Sequence, residues 1–362
     1  MTDPGPDPSP DPDPAANDTA KPGPARRWLP WAGGLLGIAA LAWVLQGFDF
    51  ARFGATLSGA DWRFFMLIPL SILGEQLVRA WKWRQLLHAL RPVGVCYLFG
   101  TIMAGYLLAI LVPFGFGTVA RSWMVARRQQ LRLASVLATV ALDRLTDAIV
   151  FAPLVALALW SVVFADPTGG IRAGLAVGGI GIVVLLGAAL CALAACRSGT
   201  LSAKGRLGTL VTLLPRRLAS ATRRLGAAFA EGLVWPRQRW RGAGIFVASA
   251  AMKLLAATNL LWAGLSIGVL LAPTQYLFMV VFLSFLIILG HFIRFMGSFV
   301  IGGVFALGLL GVGAEQALVM VLMVEAASLA SVATVGAISL WAQGVALGDL
   351  RFANEAGRAQ AG

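Results

Sequence analysis

Residues 106–151 read YLLAILVPFGFGTVARSWMVARRQQLRLASVLATVALDRLTDAIVF, and this stretch decides the fold class. An apolar run ends in Pro113-Phe-Gly-Phe-Gly117, a sequence that does not continue a helix comfortably. A second apolar run follows and carries Asp143, Arg144 and Asp147. Irregular backbone at membrane depth persists only where protein or a water-filled cavity satisfies it. The stretch therefore predicts a broken membrane helix beside a helix whose charges face the protein interior.

The composition of the whole chain supports this interpretation. Of its 362 residues, 59% are hydrophobic and 12% are charged, whereas a soluble protein carries roughly a quarter charged residues. A cytosolic enzyme, a secreted disulfide scaffold and a disordered regulator are excluded. The sequence predicts an all-α polytopic membrane protein, a bundle of about seven or eight transmembrane helices with re-entrant or broken segments. The predicted spans are 28–48, 64–81, 95–114, 134–164, 172–195, 242–270, 275–294, 297–313 and 316–345.

Three regions are expected along the chain. Residues 1–25 form a Pro/Asp-rich tail that is predicted to be disordered. Residues 26–345 form the membrane domain, and 346–362 form a polar C-terminal tail. Within the membrane domain, loop 197–241 holds nine Arg and one Lys against one Glu. Its part 216–235 is predicted either as a basic amphipathic helix on the cytoplasmic leaflet or as a solvated linker.

The net charge of +13 indicates orientation rather than nucleic-acid binding, because the basic residues lie between apolar spans. With the N-terminus inside, loop 82–91 is cytoplasmic. If 95–120 enters the membrane and returns to the same side, 121–132 and 197–241 are also cytoplasmic. Only Arg52, Arg63 and Arg172 then remain outside. The alternative is an ordinary span that ends in a loop, with the N-terminus outside.

Charged residues within the apolar spans are balanced in sign. Since an unpaired charge in lipid is costly, we expect mutual pairing inside the bundle. Ser135, Thr139, Asp143 and Asp147 recur every four residues and share one helix face. Arg144 is expected to neutralise Asp147. Repulsion between the carboxylates of Asp143 and Asp147 either supports proton coupling or is offset by other charges in a structural network. The acids are Glu75, Asp143, Asp147 and Glu325, and the bases are Arg79, Arg144, Lys253 and Arg294.

These motifs resemble the first signature of the flippase-like membrane domain of lysylphosphatidylglycerol synthases. The matching residues are Pro113, Gly117, Arg121, Asp143, Arg144 and Asp147. Thr118 replaces an acidic residue of that signature, and Gly115 stands where a basic one is common. The second signature would fall on 293–300, where Gly297 matches, Arg294 lies within the run and Val300 replaces a Glu. The resemblance implies an integral membrane protein that handles anionic or sugar-carrying lipids.

A lipid headgroup that crosses the bilayer needs a polar, charge-compensated site. Phosphate is held well by Arg together with backbone N–H groups at a helix start. The predicted headgroup residues are Arg121, Arg144, Gly115 and Gly117 from the first half of the chain, and Arg294 and Gly297 from the second. His291 is either a further member of this site or an ordinary residue at a helix end. A buried Arg294–Glu325 pair is also predicted, with Lys253 as the competing partner of Glu325.

No nucleotide-binding loop of the form G-x-x-x-x-G-K-[ST] occurs, so ATP hydrolysis in cis is not expected. No catalytic residue, cofactor or metal site is predicted, and Cys96, Cys191 and Cys196 are expected to be small buried hydrophobic residues.

Three functions follow from these patterns. The first is translocation of an anionic phospholipid or a polyprenyl-linked lipid in the bacterial plasma (inner) membrane. The second is a non-transporting partner of a lipid-modifying enzyme. The third is a membrane-embedded lipid transferase, for which only Asp49, Asp61 and Asp166 lie in short loops.

Overall fold

The computed structural model describes residues 49–111, 116–162, 169–170, 172–181, 184, 188, 232–293 and 298–344. All regular structure in these residues is helical, which confirms the all-α polytopic class. The predicted span 28–48, the two tails and most of loop 197–241 lie outside the described residues. Residues 172–181 are helical, and the other helices are α1 Phe50–Ser58, α2 Trp62–Phe65, α3 Leu67–Leu87, α4 Val95–Leu111, α5 Phe116–Gln129, α6 Leu133–Ser161, α7 Arg239–Ser266, α8 Pro273–Ile293, α9 Ser298–Leu309 and α10 Ala314–Ala342.

Several of these helices are long and apolar enough to cross a membrane. They are α2 and α3 taken together (26 residues), α7 (28 residues) and α10 (29 residues). Helix α6 also has 29 residues, and at about 1.5 Å per residue it exceeds the roughly 30 Å of a hydrocarbon core. The chain is therefore an integral membrane protein.

Helices α3 and α7 form an antiparallel pair along their whole length. Near one end, the Trp262 indole donates to the Ser71 hydroxyl at 2.9 Å. Near the other end, Arg241 donates to Gln85 Oε1 at 2.7 Å. Helix α6 packs against both members of the pair. These three helices carry most of the charged side chains within the bundle.

Helices α4 and α5 form an antiparallel hairpin. The Tyr97 hydroxyl donates to the carbonyl of Met124 at 3.0 Å, so the start of α4 lies beside the end of α5. Closer to the tip, a Cβ on Gly105 would lie 2.9 Å from the Gly117 carbonyl oxygen. Helix α4 ends at Leu111 and α5 begins at Phe116, as expected from the Pro/Gly break. Because the two outer ends of the hairpin lie together, its geometry fits a segment that enters and returns, while its side of the membrane stays a prediction.

Helices α8 and α9 form a second hairpin that enters from the opposite end of the bundle. Phe282 on α8 packs against Phe305 on α9, with ring centroids 6.0 Å apart. Helix α8 runs antiparallel to α6, since Phe285 contacts Phe151 at a centroid distance of 5.8 Å. Continued along α8, this pairing brings Ile293 to about the level of Asp143. The described end of α8 thus approaches the depth at which α6 carries its charges.

The basic residues separate toward the two ends of the bundle as predicted. Arg52, Arg63 and Arg172 lie toward the end where α7 finishes, because Asp61 of the α1–α2 connection donates its N–H to the Ser266 carbonyl at 2.6 Å. The opposite end carries many more exposed arginines: Arg84, Arg91, Arg127, Arg128, Arg132, Arg237 and Arg239.

Three local expectations were wrong. Helix α3 continues to Leu87, so Lys82 lies within a helix and not in a loop. Leu233 and Trp235 are not helical; Leu233 is buried, and Trp235 packs on Phe246 at 5.9 Å between ring centroids. Cys96 is exposed rather than buried. Residues 216–231 and the other two cysteines lie outside the described residues.

Candidate functional site

Eight charged side chains from four helices gather within the described part of the bundle, and we call them the polar cluster. Five are basic and three are acidic, which leaves a formal excess of two positive charges. Since charges within a membrane domain are expensive unless paired, this excess is the main feature of the site. The members are Glu75, Arg79 and Lys82 on α3, Arg121 on α5, Asp143, Arg144 and Asp147 on α6, and Lys253 on α7.

Lys82 joins α3 to α6 at the centre of the polar cluster. Its ammonium lies 2.9 Å from Asp143 Oδ1 and 2.6 Å from Asp147 Oδ1, and it donates to the Asp143 carbonyl at 3.0 Å. The side chain is 0% exposed. Because one cation bridges both carboxylates, their repulsion is offset. This contact favours a structural network over proton coupling between Asp143 and Asp147.

Arg79 pairs with Glu75, the third carboxylate of the polar cluster, and also with Asp147. Its guanidinium lies 3.2 Å from Glu75 and 3.6 Å from Asp147, so these charges pair inside the bundle as expected. The Ser249 hydroxyl on α7 donates to Asp147 Oδ1 at 2.9 Å. Asp147 is therefore satisfied by Lys82, Arg79 and Ser249, and the expected Arg144–Asp147 ion pair is absent from the described contacts.

The predicted polar face of α6 is confirmed. Ser135, Thr139 and Asp143 are buried, and the Trp83 indole of α3 donates to the Thr139 hydroxyl at 3.0 Å. This face packs against α3 because every fourth residue of α6 offers a hydrogen-bonding group.

Arg121 reaches the polar cluster from the first hairpin. Its guanidinium lies over the Trp83 ring, 5.3 Å from the centroid. The residue is 4% exposed, and its Nε has no hydrogen-bond partner among the described residues. The described carboxylates form no ion pair with Arg121 either. A buried guanidinium in this state lacks a counter-charge in direct contact with it.

Arg144 is exposed at mid-length of α6. Its charge acts on Arg121, Asp143 and Lys253, so it lies near the edge of the polar cluster. An exposed arginine at this depth cannot remain in contact with lipid chains alone. Its position suits a polar entrance to the cluster rather than the internal neutralisation of Asp147.

The structure separates Lys253 from Glu325. The Lys253 ammonium lies 5.0 Å from the centroid of the Phe151 ring and interacts electrostatically with Asp147 and Glu75. Glu325 is half-buried on α10, and no described cation forms an ion pair with it. Glu325 thus stands apart from the polar cluster, and Lys253 is not its partner. The Arg294–Glu325 pair stays a prediction, because Arg294 lies outside the described residues.

Gly117 lies at the contact between α4 and α5. A Cβ at this position would overlap the Gly105 carbonyl oxygen and crowd Ala109 at 2.7 Å. Gly117 therefore allows α4 and α5 to approach closely, while its role in an anion-binding turn stays a prediction. Gly115 and Gly297 lie outside the described residues, as does the side chain of His291.

The sequence analysis missed Lys82, Trp83 and Ser249 as members or neighbours of the cluster. A signal for Lys82 was present, because Glu75, Arg79 and Lys82 are spaced by four and three residues and so share a helix face. Trp83 and Ser249 carry no comparable sequence signal. Among the described residues, no group of three or more His, Cys, Asp or Glu side chains is placed to hold a metal ion.

A family model described as the lysylphosphatidylglycerol synthase TM region matches residues 31–336. The chain belongs to this family. The lysylphosphatidylglycerol synthase TM region match covers both hairpins and every member of the polar cluster, and it places the chain in lipid-related membrane biology. No curated protein and no solved structure matches the chain.

Proposed function

We propose that this protein binds an anionic or sugar-carrying lipid through the polar cluster and translocates it across the bacterial plasma membrane without hydrolysing ATP itself. The observation that carries the proposal is Arg121, a 4% exposed arginine without an ion-pair partner among the described carboxylates. The three acids of the cluster are already engaged by Arg79 and Lys82. A phosphate group would supply the missing negative charge.

The arrangement of the hairpins supports movement as well as binding. The two hairpins enter from opposite ends of the bundle, and the described inner ends of α5 and α8 approach the depth of the polar cluster. Broken helices that meet near the bilayer midplane are typical of transport proteins, because their ends offer polar backbone to a substrate. A lipid headgroup could then pass from Arg144 to Arg121 while its acyl chains stay in the bilayer. A transmembrane gradient or downhill consumption of the lipid would drive net movement.

The test uses purified protein in phosphatidylcholine vesicles that contain a trace of either fluorescent NBD-phosphatidylglycerol or NBD-labelled undecaprenyl phosphate. Dithionite bleaches only the outer leaflet, so transport appears as loss of the protected half of the signal. The wild-type protein is expected to move at least one of the two probes. Arg121→Gln should lose movement and Arg121→Lys should retain part of it, because Gln cannot neutralise a phosphate.

The matched control is Arg127→Gln, which removes an exposed arginine from the same helix. It should transport as the wild type does. Arg121→Gln with an unchanged melting temperature and normal transport would contradict the proposal. Binding of a probe without movement would instead favour the alternative, a non-transporting partner of a lipid-modifying enzyme.

A further inference from the structure

Helices α3 and α7 present a continuous apolar surface on the outside of the bundle, and we call it the α3–α7 outer face. On α3 it contains Leu70 and Leu77, which are 65% and 49% exposed. On α7 it contains Val247 and Leu254, which are 67% and 70% exposed. The residues on each helix are seven apart, a spacing that keeps them on one side of a helix.

The two halves of this surface lie on the same side of the helix pair. Gln85 faces Arg241 across the antiparallel interface. Arg84 precedes Gln85, and Trp240 precedes Arg241. Because both helices are right-handed and run in opposite directions, Arg84 and Trp240 point to the same side of the helix pair. Both are exposed. Leu77 lies seven residues before Arg84 and Val247 seven after Trp240, so the apolar surface is continuous and ends at this basic, aromatic group.

The basic end of the α3–α7 outer face is well suited to a phosphate. Arg241 lies over the Trp240 ring, 4.7 Å from its centroid, and Arg84 is exposed on the same side of the helix pair. The described residues at this end of the bundle include no acid. Tryptophan favours the boundary between headgroups and acyl chains, and arginine at that depth attracts anionic headgroups.

We propose that the α3–α7 outer face retains an anionic phospholipid of the adjacent leaflet. Arg84 and Arg241 contact its phosphate, Trp240 lies at the level of its glycerol, and its acyl chains lie along Leu77, Val247 and Leu254. The excess of positive charge selects an anionic over a zwitterionic lipid. The length of the apolar surface selects a lipid over a free anion.

This lipid is separate from the translocated one. Glu75, Arg79 and Lys82 lie on the side of α3 that faces α6, whereas Leu77 and Arg84 face outward. Lipid retention on the α3–α7 outer face therefore does not depend on transport. Either proposal can be contradicted while the other holds.

The experiment measures retention of phosphatidylglycerol and phosphatidylcholine by native mass spectrometry of the full chain in detergent, and thermal stability with each lipid added. The wild-type protein should retain phosphatidylglycerol preferentially and should be stabilised by it. Each arginine near an anionic headgroup contributes about fivefold to affinity. Arg84→Gln/Arg241→Gln should then bind phosphatidylglycerol about 25-fold more weakly, while Arg84→Lys/Arg241→Lys should bind it nearly as well as the wild type.

The control Arg127→Gln/Arg132→Gln removes the same charge from the same end of the bundle but away from α3 and α7, and it should leave retention unchanged. Equal retention by the Gln double variant would overturn the proposal, and so would equal loss in the control. Equal stabilisation by phosphatidylcholine, or by inorganic phosphate alone, would also overturn it. If the Gln double variant does not fold, normal retention by Trp240→Ala/Val247→Asn would contradict the proposal instead.

Discussion

At the scale of single residues, Lys82 is the side chain that most strongly ties the helices together. One ammonium serves two carboxylates and a backbone carbonyl of α6. In a low-dielectric interior, a buried pair adds little compared with an apolar pair of the same size, yet removing one partner leaves the other charge stranded. Here Asp143 would lose its ion-pair partner, whereas Asp147 would keep Arg79 and Ser249.

We therefore predict that Lys82→Met destabilises the protein by about 3–5 kcal/mol. Adding Asp143→Asn should recover part of this loss, because coupled neighbours do not contribute additively. Thermal unfolding in detergent measures both effects, and Arg63→Met, at an exposed arginine of α2, should change little. Strictly additive losses would show that Lys82 and Asp143 do not interact.

At the scale of helices, length explains why two pairs of elements form hairpins. Helices α4, α5 and α9 have 17, 14 and 12 residues. At 1.5 Å per residue they reach about 26, 21 and 18 Å, short of the roughly 30 Å hydrocarbon core. None of them spans the core alone, so each is stabilised by a neighbour. Close backbone approach at glycine supplies that contact in the first hairpin.

We predict that Gly117→Ala destabilises the first hairpin by about 1–3 kcal/mol, because the new methyl group meets the rigid carbonyl of Gly105. Gly74→Ala in α3 is the matched control, since a Cβ there has nothing within 4 Å. The melting temperature in detergent should fall for the first variant and should not fall for the second. An equal response of the two variants would contradict the close packing of α4 on α5.

At the scale of the whole molecule, the two hairpins and the unequal charge of the two ends predict how the bundle is oriented across the membrane. The end with more arginines carries the outer ends of α4 and α5, and the other end carries Arg52, Arg63 and Arg172. Arginine-rich ends face the cytoplasm because they are retained by the anionic leaflet and translocate poorly.

We therefore predict that single cysteines at positions 84 and 128, in a protein without its native cysteines, resist an impermeant maleimide applied to intact cells. A cysteine at position 63 should react with it. All three should react in permeabilised cells, which controls for burial. Labelling of position 128 from outside would exclude the re-entrant arrangement of 95–120.

The sequence by itself determined the features that depend on local composition and spacing. Hydropathy predicted the helical membrane class, Pro and Gly at 113–117 predicted the break between α4 and α5, and the four-residue spacing from Ser135 predicted the buried face of α6. Each of these three features depends on a short stretch of chain. The hydrophobicity and the backbone freedom of such a stretch do not depend on its position in the folded protein.

Only the tertiary structure decided the partners of these features. Asp147 pairs with Lys82, which is 65 residues away, and not with the nearby Arg144. Gly117 packs closely against Gly105 on the neighbouring helix. Arg121 on α5 lies over the ring of Trp83 on α3, a contact between two helices that are not neighbours in the sequence. Such contacts are set by the rotation and depth of whole packed helices, and these result from the sum of many weak interactions that no local pattern records.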